Sequence, residues 1–98
     1  MLVAERQWLE RLYAALAARL KAELRAVDGE RYYLGDDYFD HAIHDGVCVF
    51  TVHIVGQRAL YHETLAREYP IGDPVEGVAR HLSDEYYAKR EEYRKNYG

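Results

Sequence analysis

The chain contains a single cysteine, Cys48, so no disulfide can close within it. Set in the apolar run Val47-Cys48-Val49-Phe50, its thiol reads as a small core group. A nucleophilic role would need an electropositive, exposed setting, which these neighbours do not supply. Serine is as scarce: Ser83 stands alone, beside Asp84 and without the glycines of a nucleophile elbow. There is no CxxC pair, no glycine-rich phosphate loop, and no apolar run near the ~20 residues that cross a bilayer. Glu5, Arg6, Glu10 and Arg11 interrupt any signal-peptide core, so the cytoplasm is the expected location and no membrane contact is expected. No internal repeat or cofactor motif is present, and no cofactor is expected.

What the chain does have is enough apolar material for one core. Its 98 residues are 49% hydrophobic and 31% charged, a globular composition that suits one domain over residues 1–98. The net charge of −4 is unevenly spread. Residues 1–27 carry five basic and three acidic side chains, residues 28–57 one and six, and residues 58–98 seven and eight. Acidity therefore gathers in Asp28, Glu30, Asp36, Asp37, Asp40 and Asp45, the reverse of a nucleic-acid binder's positive footprint.

The expected fold class is α+β, in the order α-β-β-β-α: a three-stranded antiparallel meander packed with two long amphipathic helices. Residues 3–27 predict the first helix, because Leu9, Leu12, Tyr13, Leu16, Leu20, Leu24 and Val27 recur at spacings of three and four. Asp28-Gly29 is the expected stop, with glycine suited to the left-handed cap. Val47 to Val55 is rich in β-branched and aromatic residues and predicts a strand. Asp45-Gly46 predicts a tight type I′ hairpin, which pairs Ile43 with Cys48, His41 with Phe50, Phe39 with Val52 and Asp40 with Thr51. A second turn at Gly56-Gln57 predicts a strand over Arg58–Thr64 that pairs Ile54 with Ala59 and Val52 with Tyr61. A helix beginning there is the alternative, since Tyr61, Leu65 and Tyr69 sit four apart.

Tyr69 to Pro74 predicts a connector, and Asp73-Pro74 a helix start over Pro74–Asn96. Val75, Val78, Ala79, Leu82, Tyr86 and Tyr93 mark its inward stripe. Glu76/Arg80, Glu85/Lys89 and Glu91/Lys95 are expected ion pairs, each worth ~0.3–0.5 kcal/mol when exposed. Ten tyrosines are present, five of them from Tyr69 to Tyr97. Tyr86, Tyr87, Tyr93 and Tyr97 cannot all face one core, because adjacent helical residues point ~100° apart. Tyrosine suits interfaces, where an apolar ring and a polar tip are both used.

Two groups of residues could form a site. In the meander, Asp40, Thr51 and His62 are expected in one row, with His53 diagonal to His62, close enough for general-base chemistry or a divalent metal. Asp40, His53 and His62 are thus the candidate catalytic residues. His41 and His44 have a ligand spacing that works on a helix but divides between the faces of a strand, so they predict no metal site. The other group is a protein interface made of Asp36, Asp37, Asp40 and Asp45 with Tyr86, Tyr87, Tyr93 and Tyr97.

The expected function is a non-enzymatic interaction module, an adaptor, inhibitor or small subunit that meets a protein partner with a basic surface, with self-association as a homodimer also weighed. Small acidic inhibitors of phages and mobile elements share this general character. The order helix, three strands, helix resembles the double-stranded RNA-binding domain in outline, which would imply nucleic-acid binding. However, Val75-Glu76-Gly77-Val78 stand where a basic cluster would open the final helix. A small metal-dependent or acid/base enzyme using the Asp/His cluster is the third expectation.

Overall fold

A computed structural model of the chain describes residues 2–56 and 61–97. Helix α1 (Val3–Leu20) is followed by strands β1 (Arg25–Val27), β2 (Arg31–Leu34), β3 (Asp37–His44), β4 (Val47–Ile54) and β5 (Glu63–Pro70), and then by helix α2 (Val75–Tyr97). The strands form one antiparallel sheet in the order β1-β2-β3-β4-β5. The fold is α+β, but the sheet has five strands where three were expected.

The two extra strands come from residues 21–36. Helix α1 ends seven residues before the expected stop, because Lys21 turns into the left-handed region at φ 54°. Its amide donates to the Ala18 carbonyl and that of Ala22 to the Ala17 carbonyl. Leu24 and Val27, which continue the helical spacing, leave the helix; Val27 becomes the last residue of β1. Asp28-Gly29 is a hairpin turn with positive φ at both residues (57° and 69°), as at Asp45-Gly46 (49° and 75°). Gly35, also at positive φ, opens the two-residue turn that joins Leu34 to Asp37.

The β3–β4 register is the expected one, with Ile43 opposite Cys48, His41 opposite Phe50 and Asp40 opposite Thr51. The next pairing is offset by four residues, so that Ile54 meets Glu63 and Val52 meets Leu65. Tyr61 precedes the strand, and residues 57–60, which hold the expected turn and the Ala59 pairing, lie outside the described residues. An even offset keeps every side chain on its expected face, and it sets Leu65 rather than Tyr61 beside Val52. Among the described residues the strand alternative holds in shifted form: Glu63 and Thr64 are strand, the strand runs on to Pro70 where a connector was expected, and no helix starts in residues 61–70. Pro70 is its last residue, on an edge strand where no ladder donor is needed.

Both helices cover one face of the sheet. The core joins Trp8, Leu9, Leu12, Tyr13, Leu16 and Leu20 of α1, and Val78, Ala79, Leu82 and Tyr86 of α2, to Phe39, Cys48, Phe50, Val52, Ile54 and Tyr69. Strand β4 alternates half-buried and buried residues along its whole length, as a sheet covered on one side requires. The Trp8 indole N–H donates to the Asp73 carbonyl at 2.9 Å and ties the start of α1 to the start of α2. Of the expected ion pairs along α2, the partners of Glu85/Lys89 and Glu91/Lys95 are exchanged for others, Glu91 pairing with Arg94 at 2.6 Å. Glu85 meets Arg67 (3.4 Å) and His81 (3.3 Å), and Lys89 meets Glu63 and Glu92 (both 3.7 Å), so strand β5 takes charges the helix would otherwise pair internally. Among the described residues, no helix is long and apolar enough to cross a membrane.

Candidate functional site

The uncovered face of the sheet carries Arg31 and Tyr33 from β2, Tyr38 and Asp40 from β3, and Thr51 and His53 from β4. Their pairings Arg31–Asp40, Tyr33–Tyr38, Tyr38–His53 and Asp40–Thr51 place them side by side. His53 is the centre of this group. Its Nε2–H donates to Asp40 Oδ2 at 2.8 Å, and its Nδ1 stands 2.9 Å from His62 Nε2. Tyr38 stacks flat on the His53 ring, 4.1 Å between centroids and 10° between planes, and the Arg31 guanidinium lies over the Tyr38 ring, 5.3 Å from its centroid.

The three candidate residues therefore form one chain, Asp40–His53–His62, by a different route from the expected row. Thr51 pairs with Ala66, not with His62. His62 lies just before β5 and reaches back to His53. A carboxylate only accepts, so Asp40 fixes the proton of His53 on Nε2 and leaves Nδ1 with its lone pair. The His53 side chain is only 13% exposed, whereas His62 is exposed. Sequence reasoning missed Tyr38 and Arg31, whose roles depend on strand β2. The signals for that strand are the turn pairs on either side of it, Asp28-Gly29 and Gly35-Asp36, the first of which also suits a helix stop.

The interface candidates divide. Turns alternate between the ends of a meander, so Asp45 sits at one end of the sheet with Asp28 and Glu30, and Asp36 and Asp37 sit at the other. Asp45 is exposed and pairs with His44 at 3.1 Å. Asp37 is buried: its Oδ2 accepts the Tyr86 hydroxyl at 2.8 Å and its Oδ1 accepts the Val55 amide at 2.9 Å. Tyr86 is fully buried, and burial, together with this bond to Asp37, raises its pKa. These two residues hold the fold and present no surface. The Tyr93 hydroxyl lies 2.8 Å from the Tyr61 carbonyl and 3.1 Å from that of Val55, and shares its proton between them.

At the same end of the sheet, Asp36, Tyr61, Tyr87, Arg90, Tyr93, Arg94 and Tyr97 line a groove beside the last turns of α2. Tyr61 and Tyr97 stack at 4.3 Å, and Tyr61, Tyr87 and Tyr97 are 51%, 49% and 44% exposed. A second hollow at the opposite end includes Glu30, Asp40, His41, His44 and Asp45.

Two further polar contacts belong to the helix–sheet interface. The Tyr13 hydroxyl donates to His41 Nδ1 at 2.8 Å, and burial lowers the His41 pKa while raising that of Tyr13. Tyr69 donates to His81 Nδ1, and burial pushes its hydroxyl up to about 12. Cys48 is fully buried, with its thiol pushed up to about 12 by desolvation, and the Ser83 hydroxyl donates to the Arg80 carbonyl within the helix. Among the described residues, no three or more His, Cys, Asp or Glu side chains converge as a ready metal cage.

Compared with known proteins, the chain matches no family model, no curated protein and no solved structure.

Proposed function

We propose that the chain is a non-enzymatic protein-interaction module, acting as an adaptor, inhibitor or small subunit, and that its binding surface is the tyrosine groove at the end of α2. The observation that carries this reading is three tyrosines, each close to half exposed, set around one groove with Arg90, Arg94 and Asp36. Tyrosine and arginine are the residue types that most often anchor protein interfaces, since each offers a large contact area with a polar end. The floor is held from beneath, because Tyr86 and Tyr93 tie α2 to Asp37, Val55 and Tyr61. A surface built this way loses little side-chain freedom on binding. Asp36 at its rim suits a partner that presents a basic group. The proposed setting is the cytoplasm.

A general-base role for Asp40, His53 and His62 would need substrate held beside His62; of the two hollows described, one is lined by Asp40 and neither by His53 or His62. Nucleic-acid binding is opposed by the net charge of −4.

The test is site-specific photo-cross-linking in the native host, with a photoreactive phenylalanine at position 87 and a control at Glu68 on the opposite side of the sheet. The expected result is one protein captured at position 87, absent from the control and lost with Tyr97→Ala. A self-cross-link would identify the partner as a second copy of the chain. The same captures at both positions would sink the proposal.

A further inference from the structure

We propose that His53 and His62 form a binding site for one first-row divalent transition-metal ion, held by His53 Nδ1 and His62 Nε2, with Asp40 as the outer carboxylate. This site is separate from the tyrosine groove and does not depend on it. The central feature is the direction of the His53 ring. Asp40 Oδ2 takes the Nε2 proton at 2.8 Å, which turns the lone pair of Nδ1 toward His62. Metal-bound histidines nearly always donate their other ring N–H to a carboxylate, a backbone carbonyl or water, and a partner of this kind sets the tautomer and raises ligand basicity. Two other contacts stiffen the ring: strand β4 fixes its backbone, and Tyr38 stacks on its face at 4.1 Å. A ligand held this way needs little reorganisation when an ion arrives.

The second nitrogen is close to the distance an ion requires. His53 Nδ1 and His62 Nε2 are 2.9 Å apart. A tetrahedral ion with bonds of ~2.0–2.1 Å would set them ~3.3 Å apart, so the pair has to open by about 0.4 Å. His62 is exposed and lies outside β5, so it can make that movement without disturbing the sheet. In the present arrangement its Nε2–H donates to His53 Nδ1. Metal binding replaces that proton: it leaves Nε2, Nδ1 of the same ring carries one instead, and the neutral ring then ligates through Nε2.

Two imidazoles favour zinc, nickel and copper over magnesium or calcium, which prefer oxygen ligands. With only two protein nitrogens, the remaining positions are taken by water or by a ligand from outside the chain.

The test is calorimetric titration of the whole chain, free of any polyhistidine tag, with zinc, nickel and copper separately and magnesium as control. Proton–nitrogen correlation spectra of the imidazoles in the zinc titration locate the ion. The expected result is one ion per chain, no binding of magnesium, and nitrogen shifts at His53 Nδ1 and His62 Nε2. His62→Ala abolishes the binding, and His44→Ala leaves it unchanged. Asp40→Asn weakens zinc by ~10–100-fold, and before any metal is added it lets the His53 proton divide between both nitrogens, a change that loss of packing alone would not produce. Absence of zinc binding at millimolar ion, or binding undiminished by His62→Ala, overturns the proposal.

Discussion

Tyr86→Phe removes one oxygen atom from the centre of the protein. The ring stays, so its contact with Phe39 at 5.5 Å between centroids is kept and only the hydroxyl is lost. That hydroxyl donates to Asp37 Oδ2 at 2.8 Å, in a place where Tyr86 is fully buried and Asp37 is 8% exposed. A hydrogen bond to a charged group contributes ~1.5–3 kcal/mol, and a buried carboxylate oxygen left without its donor lies within that range. Arg90 Nη1, which donates to the same hydroxyl at 3.3 Å, loses this acceptor as well but lies at the edge of the core, where water can replace it. The expected loss is therefore about 2 kcal/mol, a large part of the ~5–15 kcal/mol that holds a domain together. At this chain length it corresponds to a fall in Tm of ~8–16 °C. Asp37→Asn is expected to cost less, about 1 kcal/mol, because Oδ1 still accepts from Val55 and the new amide can donate to the tyrosine oxygen. Urea unfolding followed by the fluorescence of buried Trp8 measures all three variants, with a constant m-value as the check on two-state behaviour. In the double variant the two costs should fall short of their sum by ~0.5–2 kcal/mol. A Tyr86→Phe loss below ~0.5 kcal/mol at constant m, or strict additivity, would refute the role given to this pair.

Other positions give shorter tests. Burial lowers the His41 pKa below its ordinary 6.5, against the opposing pull of Asp40 and Glu30, so the unfolded chain takes up this proton first on acidification. Stability should therefore be intact above pH ~6.5 and decline as pH falls toward the folded value, and His41→Asn should flatten that slope in acid titrations of urea midpoints. Gly56→Ala should destabilise by more than ~1 kcal/mol in the same assay, since its φ is +71° and the new Cβ would stand 2.7 Å from the Tyr93 hydroxyl. Lys21→Gly should raise stability by ~0.5–1 kcal/mol, because a left-handed cap at φ 54° favours glycine. Cys48 should react with a thiol reagent only at the rate of global unfolding; fast labelling of native protein would contradict its burial.

The parts of the fold legible in the sequence are those governed by short-range rules. The Leu9–Leu20 stripe and the α2 stripe from Val75 to Tyr93 follow helical periodicity, and the structure buries these residues except Val75 and Tyr93, which are half-buried at the two ends of the α2 stripe. Asp45-Gly46 sets the β3–β4 register because a type I′ turn admits one pairing. The same dipeptide at Asp28-Gly29 was ambiguous. After a run of helical spacing it reads as a helix stop, and only the sheet beside it, where Tyr32 stacks on Tyr13 at 3.6 Å, rewards ending the helix early and adding two strands. Local propensity cannot register that gain, since it comes from residues far along the chain.

The candidate site divides along the same line. The Asp45-Gly46 register and strand alternation suffice to put Asp40 and His53 on one face. How His62 reaches them depends on where β5 begins, and that is decided by Leu65 and Tyr69 finding the core. Likewise, the surplus of tyrosines on α2 is a property of the sequence. Which of them are buried is not: Tyr86 lies over Asp37, while Tyr87, one residue on, faces away. Periodicity marks a face on a helix, but only packing against the sheet determines how far along the helix the core extends.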